Sequence, residues 1–403
     1  MSQIAVRRSG LGPGSVLFMC LFAAQAAILV LSPILPEVAA EFGMSTSVAA
    51  QLRSVSGVTA GIVALLLAVT GNRFRLSLLL NAGLALLAAG SLISAWAPTF
   101  ALLLIAQVVI GFGLAAVLSG GLAASKTWAR DGESARVLSW ALIGQPVAWI
   151  VGQPLVGVVA SQGWRWAWVA VPFVASLAAL TAMSLRNKST NDSGQEHDPL
   201  GLWRQPGVKA WAISELLAFA AWAGTLVYAG ALFIESYQTS VAATGVLLGV
   251  GAVFYLPGNS LGRRLLERGS NLLLFGFSLA AAAVVVLFGS VRPGPVFSAV
   301  IFSLAAFFAA GRTIAGAALG LQLSDERRLT AMSVRTSTVQ FGYLLGAAIG
   351  GLLLEQWGFT GIGWGFGLLF AASAAIHLPR AISRSPEPAR HLLRRHQTSE
   401  PAK

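Results

Sequence analysis

Five polar side chains stand inside otherwise apolar stretches of this chain: Gln25, Arg53, Gln107, Glu215 and Arg312. A carboxylate and a guanidinium set away from water can pair, and such a carboxylate can also take up and release a proton. Glu215 is the one acidic side chain placed to do so. Gln25 and Gln107 add neutral hydrogen-bonding groups. Arg53 lies so near the outer end of its stretch that its charge is expected to reach the interface. Two arginines against one glutamate point to a neutral or anionic ligand. Trp140, Trp149, Trp211, Trp222, Phe254, Tyr255, Phe307 and Phe308 offer flat apolar surfaces, for a hydrophobic ligand or for packing.

Other chemistry has little to stand on. His197, His377, His391 and His396 lack metal-ligand spacing, and no HExxH, GxSxG or phosphate-loop pattern occurs. Cys20 is the single cysteine, so no intramolecular disulfide and no thiolate metal site is expected. The sequence therefore predicts neither an enzyme nor a cofactor. The net charge of +12 comes from basic residues scattered over short loops, which does not make a nucleic-acid surface.

The elements that position the five polar groups follow from composition. Of the 403 residues 56% are hydrophobic and 10% charged, and the mean hydropathy is +0.74. A water-soluble surface cannot be built from that, whereas spans of roughly 17 to 25 apolar residues suit a ~30 Å hydrocarbon layer. Helices are predicted near 16–35, 47–70, 76–96, 100–124, 136–159 and 164–185, then near 208–233, 242–261, 271–289, 294–321, 331–354 and 358–379. The first is too long for a signal-peptide core and is followed at once by another span. With twelve spans and a cytoplasmic N-terminus, every Lys and Arg except Arg165, Arg292, Arg53 and Arg312 falls in cytoplasmic loops, tails or helix borders. That asymmetry predicts both termini on the cytoplasmic side of the cell's inner membrane.

The interval from Arg186 to Lys209 collects charge, turn formers and low hydrophobicity, and it divides the chain. The expected organisation is a six-helix bundle over 1–185, a central cytoplasmic loop over 186–207, a second bundle over 208–380 and a basic tail over 381–403. The halves are related by position. Gly57 matches Gly251, while Gly152 and Gly157 match Gly346 and Gly351, all at an offset of 194. Asn72-Arg73 is followed 195 positions later by Glu267-Arg268. A six-helix unit used twice, about an axis along the membrane normal, explains this spacing. None of the five polar residues has a like residue at its repeat partner, so function should reside in this unlike set.

Pro33 and Pro36, predicted to end helix 1, the Asn72-Arg73 loop, Ala97-Pro98, Gly111 and Gly113, Pro154 and Gly157, and Gly163-Trp164-Arg165-Trp166 together resemble the major facilitator superfamily. Within it they resemble the bacterial twelve-helix drug and sugar efflux branch of proton antiporters. The resemblance implies an all-α membrane protein of twelve transmembrane helices in two pseudo-symmetric bundles. It further implies alternating access and proton-coupled efflux of a small organic molecule. The sequence departs from the family at Asn72, where an acidic residue is expected, at Gln107, where an arginine is expected, and at Gln153 and Trp149, where glycines are expected. The departures at Asn72 and Gln107 keep open an uptake symporter or facilitator; a non-transporting membrane sensor that keeps the fold is a further alternative, against which the polar interior argues.

By the same resemblance Asn72, Arg73, Glu267 and Arg268 are expected to act as gating loops, with a carboxylate favouring a neighbouring helix start. Pro146, Gly152, Pro154 and Gly157 are expected to bend and pack helix 5. Helices 7 and 10 line the cavity in this fold, so Glu215 and Arg312 are expected to pair there, beside Gln25, Arg53 and Gln107. The expected partners are a small-molecule substrate, protons and the lipid bilayer, with the chain acting as a monomer.

Overall fold

The computed structural model describes residues 11–70, 74–129, 133–186, 203–323 and 328–382. Asn72 and Arg73 fall outside these, as do most of the central loop and the basic tail. Among the described residues there is no strand beyond one isolated bridge between Leu11 and Arg186.

Among the described residues, twelve helical spans cross the molecule. They are α1 (Pro13–Glu41), α2 (Thr46–Thr70), α3 (Leu76–Trp96), α4 (Phe100–Thr127), α5 (Ser134–Ala160), α6 (Trp164–Ser184), α7 (Val208–Tyr237), α8 (Val241–Arg268), α9 (Ser270–Ser290) and α10 (Pro295–Leu323). The last two, α11 (328–357) and α12 (359–382), form one unbroken helical run except at Gly358, whose φ of 60° and ψ of −156° turn the chain back. Positive φ suits a residue without Cβ. Two starts are capped by side chains: Thr99 accepts from the Leu102 N–H, and Ser240 from that of Ala243.

Two expected boundaries are corrected. Helix 1 does not end at Pro33 and Pro36 but continues to Glu41. A proline removes the bond to the carbonyl four residues earlier; here Gln153 Nε2 donates 3.4 Å to the freed Leu29 carbonyl, so the helix is tethered rather than ended. Helix 8 runs past 261, and Glu267 and Arg268 sit exposed in its final 3-10 turn. The helix that follows starts without a side-chain cap.

The spans with the largest buried share are α1, α4, α7 and α10, every third helix in each half, and exposed apolar side chains that lipid would meet lie on all the spans. Position 32 meets its own repeat counterpart: Ser32 Oγ donates 2.5 Å to the Leu226 carbonyl, 194 positions away. Contact between equivalent positions is what a twofold relation demands on its axis. On either side, α2 packs on α11 and α5 on α8. At the α5–α8 crossing a Cβ on Gly157 would lie 2.6 Å from the Val241 carbonyl, and one on Gly245 would lie 2.5 Å from that of Gln153. Glycine at both positions lets the two backbones touch.

Polar bonds close the end of the bundle that carries the 42–45 and 238–240 loops. Thr46 Oγ1 donates 2.6 Å to Glu235, and Ser47 donates to Glu355 across the halves. Nearby, Glu41 accepts from Trp164 Nε1 at 2.5 Å and pairs with Arg165.

Candidate functional site

Apolar packing brings α7, α10 and α11 together, and at their junction three charges meet. Glu215 on α7 is fully buried. Arg312 on α10 reaches its Oε1 at 2.5 Å, and Arg335 on α11 reaches Oε2 at 2.8 Å. The carboxylate thus spends one oxygen on each guanidinium. Gly316 makes the approach possible, since a Cβ there would lie 2.2 Å from Glu215 Oε1. Phe219, one helical turn along α7, faces both guanidiniums, 5.9 Å from Arg312 and 5.4 Å from Arg335. Arg312 is 2% exposed and Arg335 17%, so the cluster is open on the Arg335 side.

A second layer orients the first. Arg312 Nη2 donates 2.9 Å to the Ser214 carbonyl and 3.3 Å to its hydroxyl. That hydroxyl lies 2.7 Å from His377 Nε2 and 2.9 Å from Ser373 Oγ, and His377 Nδ1 lies 2.9 Å from Asn271 Oδ1. Arg335 also donates 3.2 Å to the Thr313 carbonyl, and the Thr313 hydroxyl accepts from Tyr255 at 3.2 Å. Tyr255 joins an aromatic ledge that bridges the halves: Trp149 stacks on Trp222 with centroids 6.0 Å apart, and Trp222 on Phe302 at 6.1 Å.

Arg53 occupies a different setting. It does not reach the interface, as its position near the end of α2 suggested, because α11 covers it. It is 2% exposed, its guanidinium lies 4.1 Å over the Tyr343 ring, and it donates to Ser56 at 2.7 Å and Gln340 at 3.3 Å. Beside it a cavity of about 20 Å³ is lined by Ser32, Trp149, Gln153, Leu226 and Tyr343 among others. That is room for roughly one water molecule. Gln25 is buried, and its Nε2 has no hydrogen-bond partner among the described residues.

Gln107 is turned away, into the seam between α3 and α4, where it reaches Ser94 at 3.5 Å. It does not meet the other four, because the face of α4 that carries it packs on α3. Pro146 and Pro154 lie inside α5, and Gly152 packs against Leu29.

Sequence reasoning placed Glu215 and Arg312 close together and missed Arg335, His377, Ser214 and Asn271. Arg335 had been counted among the charges at the edge of helix 11. The signal available was its depth, about two turns inside the span that begins at 328. Among the described residues no cluster of three or more His, Cys, Asp or Glu could hold a metal ion.

A duplicated bundle of apolar helices around a polar interior, with charge buried between its parts, is the architecture of a membrane-embedded transporter. The sequence profile of the Major Facilitator Superfamily matches residues 17–311 and 212–400; the chain belongs to that family, and is a transporter rather than an enzyme. It is 26% identical over 333 residues to the purine ribonucleoside efflux pump NepI of Escherichia coli O127:H6, covering 81% of this chain and 83% of that one. It is 23% identical over 377 residues to the transcription regulatory protein OpdE of Pseudomonas aeruginosa, covering 91% and 93%. Its fold is similar to that of the human organic anion transporter MFSD10 (TETRAN), with a TM-score of 0.68 at 14% identity, over 90% of this chain and 98% of that one.

Proposed function

We propose that this protein is a proton-coupled efflux transporter of the bacterial inner membrane, with both termini cytoplasmic, and that Glu215 carries the proton. The observation that supports this is a fully buried carboxylate shared by two guanidiniums on different helices. Adding a proton to Glu215 removes its charge and with it the attraction that holds α10 and α11 to α7. Losing the proton restores both pairs. A protonation event inside one bundle thereby becomes a change in how three helices pack. Arg335, the more exposed partner, is the side from which water delivers the proton.

The inter-half contacts described above lie toward the end carrying the 42–45 and 238–240 loops. With cytoplasmic termini that end faces outward, so this conformation is closed outside. Purine ribonucleosides, the cargo in the name of the Escherichia coli relative, are the first compounds to try.

Purified protein in vesicles, loaded with labelled nucleosides and other small organic solutes, is to be assayed under an imposed pH gradient. Flux that depends on the gradient, and Glu215→Gln protein whose flux ignores it, are the expected results. Unchanged pH dependence in Glu215→Gln removes the proton role from this residue. The regulatory name of the Pseudomonas relative favours a second reading, a membrane sensor that keeps the fold. Absence of flux for every solute tried, with ligand binding retained, would support it.

A further inference from the structure

Among the described residues Arg312 hydrogen-bonds to Glu215 and Ser214 alone. Nη1 reaches the carboxylate, Nη2 reaches both the carbonyl and the hydroxyl of Ser214, and Nε is buried without a partner. The aim of Arg312 at Glu215 therefore depends on Ser214. The Ser214 carbonyl is a fixed acceptor, but the hydroxyl is not. It carries one proton, and a guanidinium can donate to that oxygen only while the proton points elsewhere.

Two groups can take the proton. Ser373 Oγ lies 2.9 Å away and gives its own proton to the Ser214 carbonyl at 3.1 Å, whereas His377 Nε2 lies at 2.7 Å. His377 is fully buried on α12, and the proton mechanism above does not use it. Its Nδ1 faces the Asn271 Oδ1 acceptor at 2.9 Å, so Nδ1 carries the ring proton and Nε2 a lone pair. The reverse arrangement would bring a second N–H to a hydroxyl oxygen that already accepts from Arg312. A guanidinium donating to a hydroxyl also strengthens that hydroxyl's own donation, here to the imidazole nitrogen.

We propose that His377 is a positioning residue for the Glu215 site: protonated on Nδ1, it draws the Ser214 proton to Nε2 and leaves that hydroxyl an acceptor for Arg312. Donation then runs one way, from Arg312 on α10 through Ser214 on α7 and His377 on α12 to Asn271 on α9. Asn271 stands in the first turn of α9, directly after the turn that holds Glu267 and Arg268. The inference rests on the proposed proton role of Glu215 for its meaning in transport, and not for its geometry.

The test is nitrogen NMR of the full-length protein labelled in histidine, carrying His197→Gln, His391→Gln and His396→Gln so that His377 is the one histidine left. At about pH 8, where an unperturbed imidazole is neutral, the ring is expected to show a protonated Nδ1 and an unprotonated Nε2. A proton found on Nε2, in the other tautomer or in an imidazolium, overturns the proposal. Unfolding midpoints give a readout that a merely structural role would not move. The losses of His377→Phe and Arg312→Met are expected to sum to more than the loss of the double variant, and that excess to vanish in a Ser214→Ala background. Additive losses, or an excess that survives Ser214→Ala, overturn the proposal as well. His377→Gln keeps an acceptor oxygen and is expected to lose less than His377→Phe. Vesicle flux separates the two readings. The expected tautomer in a protein whose flux ignores the pH gradient leaves the positioning role standing and removes the proton role. Gradient-driven flux that Glu215→Gln abolishes, with the proton on Nε2, does the reverse.

Discussion

The two halves share a scaffold and differ in how they treat buried charge. In the C-terminal half, Arg312 and Arg335 meet Glu215, and Ser214, Ser373, His377 and Asn271 extend the network to α9 and α12. In the N-terminal half Arg53 stands among neutral groups. Duplication explains the packing, since Gly157 and its counterpart Gly351 both sit where the halves cross. It does not explain the charges. One half holds two cations that share one carboxylate, and the other holds a cation whose partners are neutral.

The largest effect that would sharpen this contrast is expected from Glu215→Ala. It leaves two buried guanidiniums without their carboxylate and should destabilise by about 3–5 kcal/mol, read as a lowered unfolding midpoint in detergent. A direct test comes from one substitution made in each half. Arg312→Met should cost about 2–3 kcal/mol, less than the loss of Glu215 because Arg335 still pairs the carboxylate. Arg53→Met removes a charge that has no opposite partner, so its midpoint should stay within about 1 kcal/mol of the unsubstituted protein or rise. Equal losses at the two arginines would erase the distinction between the halves.

The glycines give the next comparison. Gly157→Ala drives a methyl against the Val241 carbonyl and Gly245 Cα, both backbone, and should cost about 1–3 kcal/mol. At Gly351 the nearest atom is the end of the Gln51 side chain, 2.9 Å away, which can move. Gly351→Ala should therefore cost less than Gly157→Ala by the same unfolding measurement. The smallest effect is expected at the gating turn. Glu267 is exposed at the end of α8, and Glu267→Gln should change stability by no more than about 0.5 kcal/mol. A large loss of flux in that variant would return the turn to the mechanism.

The scaffold was legible because hydrophobic length and glycine spacing are written locally and repeated. Twelve spans, the 194-residue offset and the neighbourhood of Glu215 and Arg312 all follow from counting along helices. What could not be counted was which neighbour covers a given face. Arg53 lies a few residues from the end of α2 and would reach water if α11 did not lie over it. Gln107 sits deep in α4 but on the face that meets α3. Arg335 and His377 lie near span ends, where a basic side chain ordinarily serves topology; their burial depends on α7 passing between them. These are properties of helix rotation and crossing, which depend on contacts between residues more than a hundred positions apart.

The bond from Ser32 to Leu226 joins a residue to its own repeat counterpart. Along the dyad of a homodimer, each subunit likewise presents one residue to the same residue of its mate. The polypeptide link between the halves therefore supplies connection without supplying that junction. A chain severed between Arg186 and Trp203, with its fragments co-expressed, retains both residues of this bond, Ser32 on one fragment and Leu226 on the other.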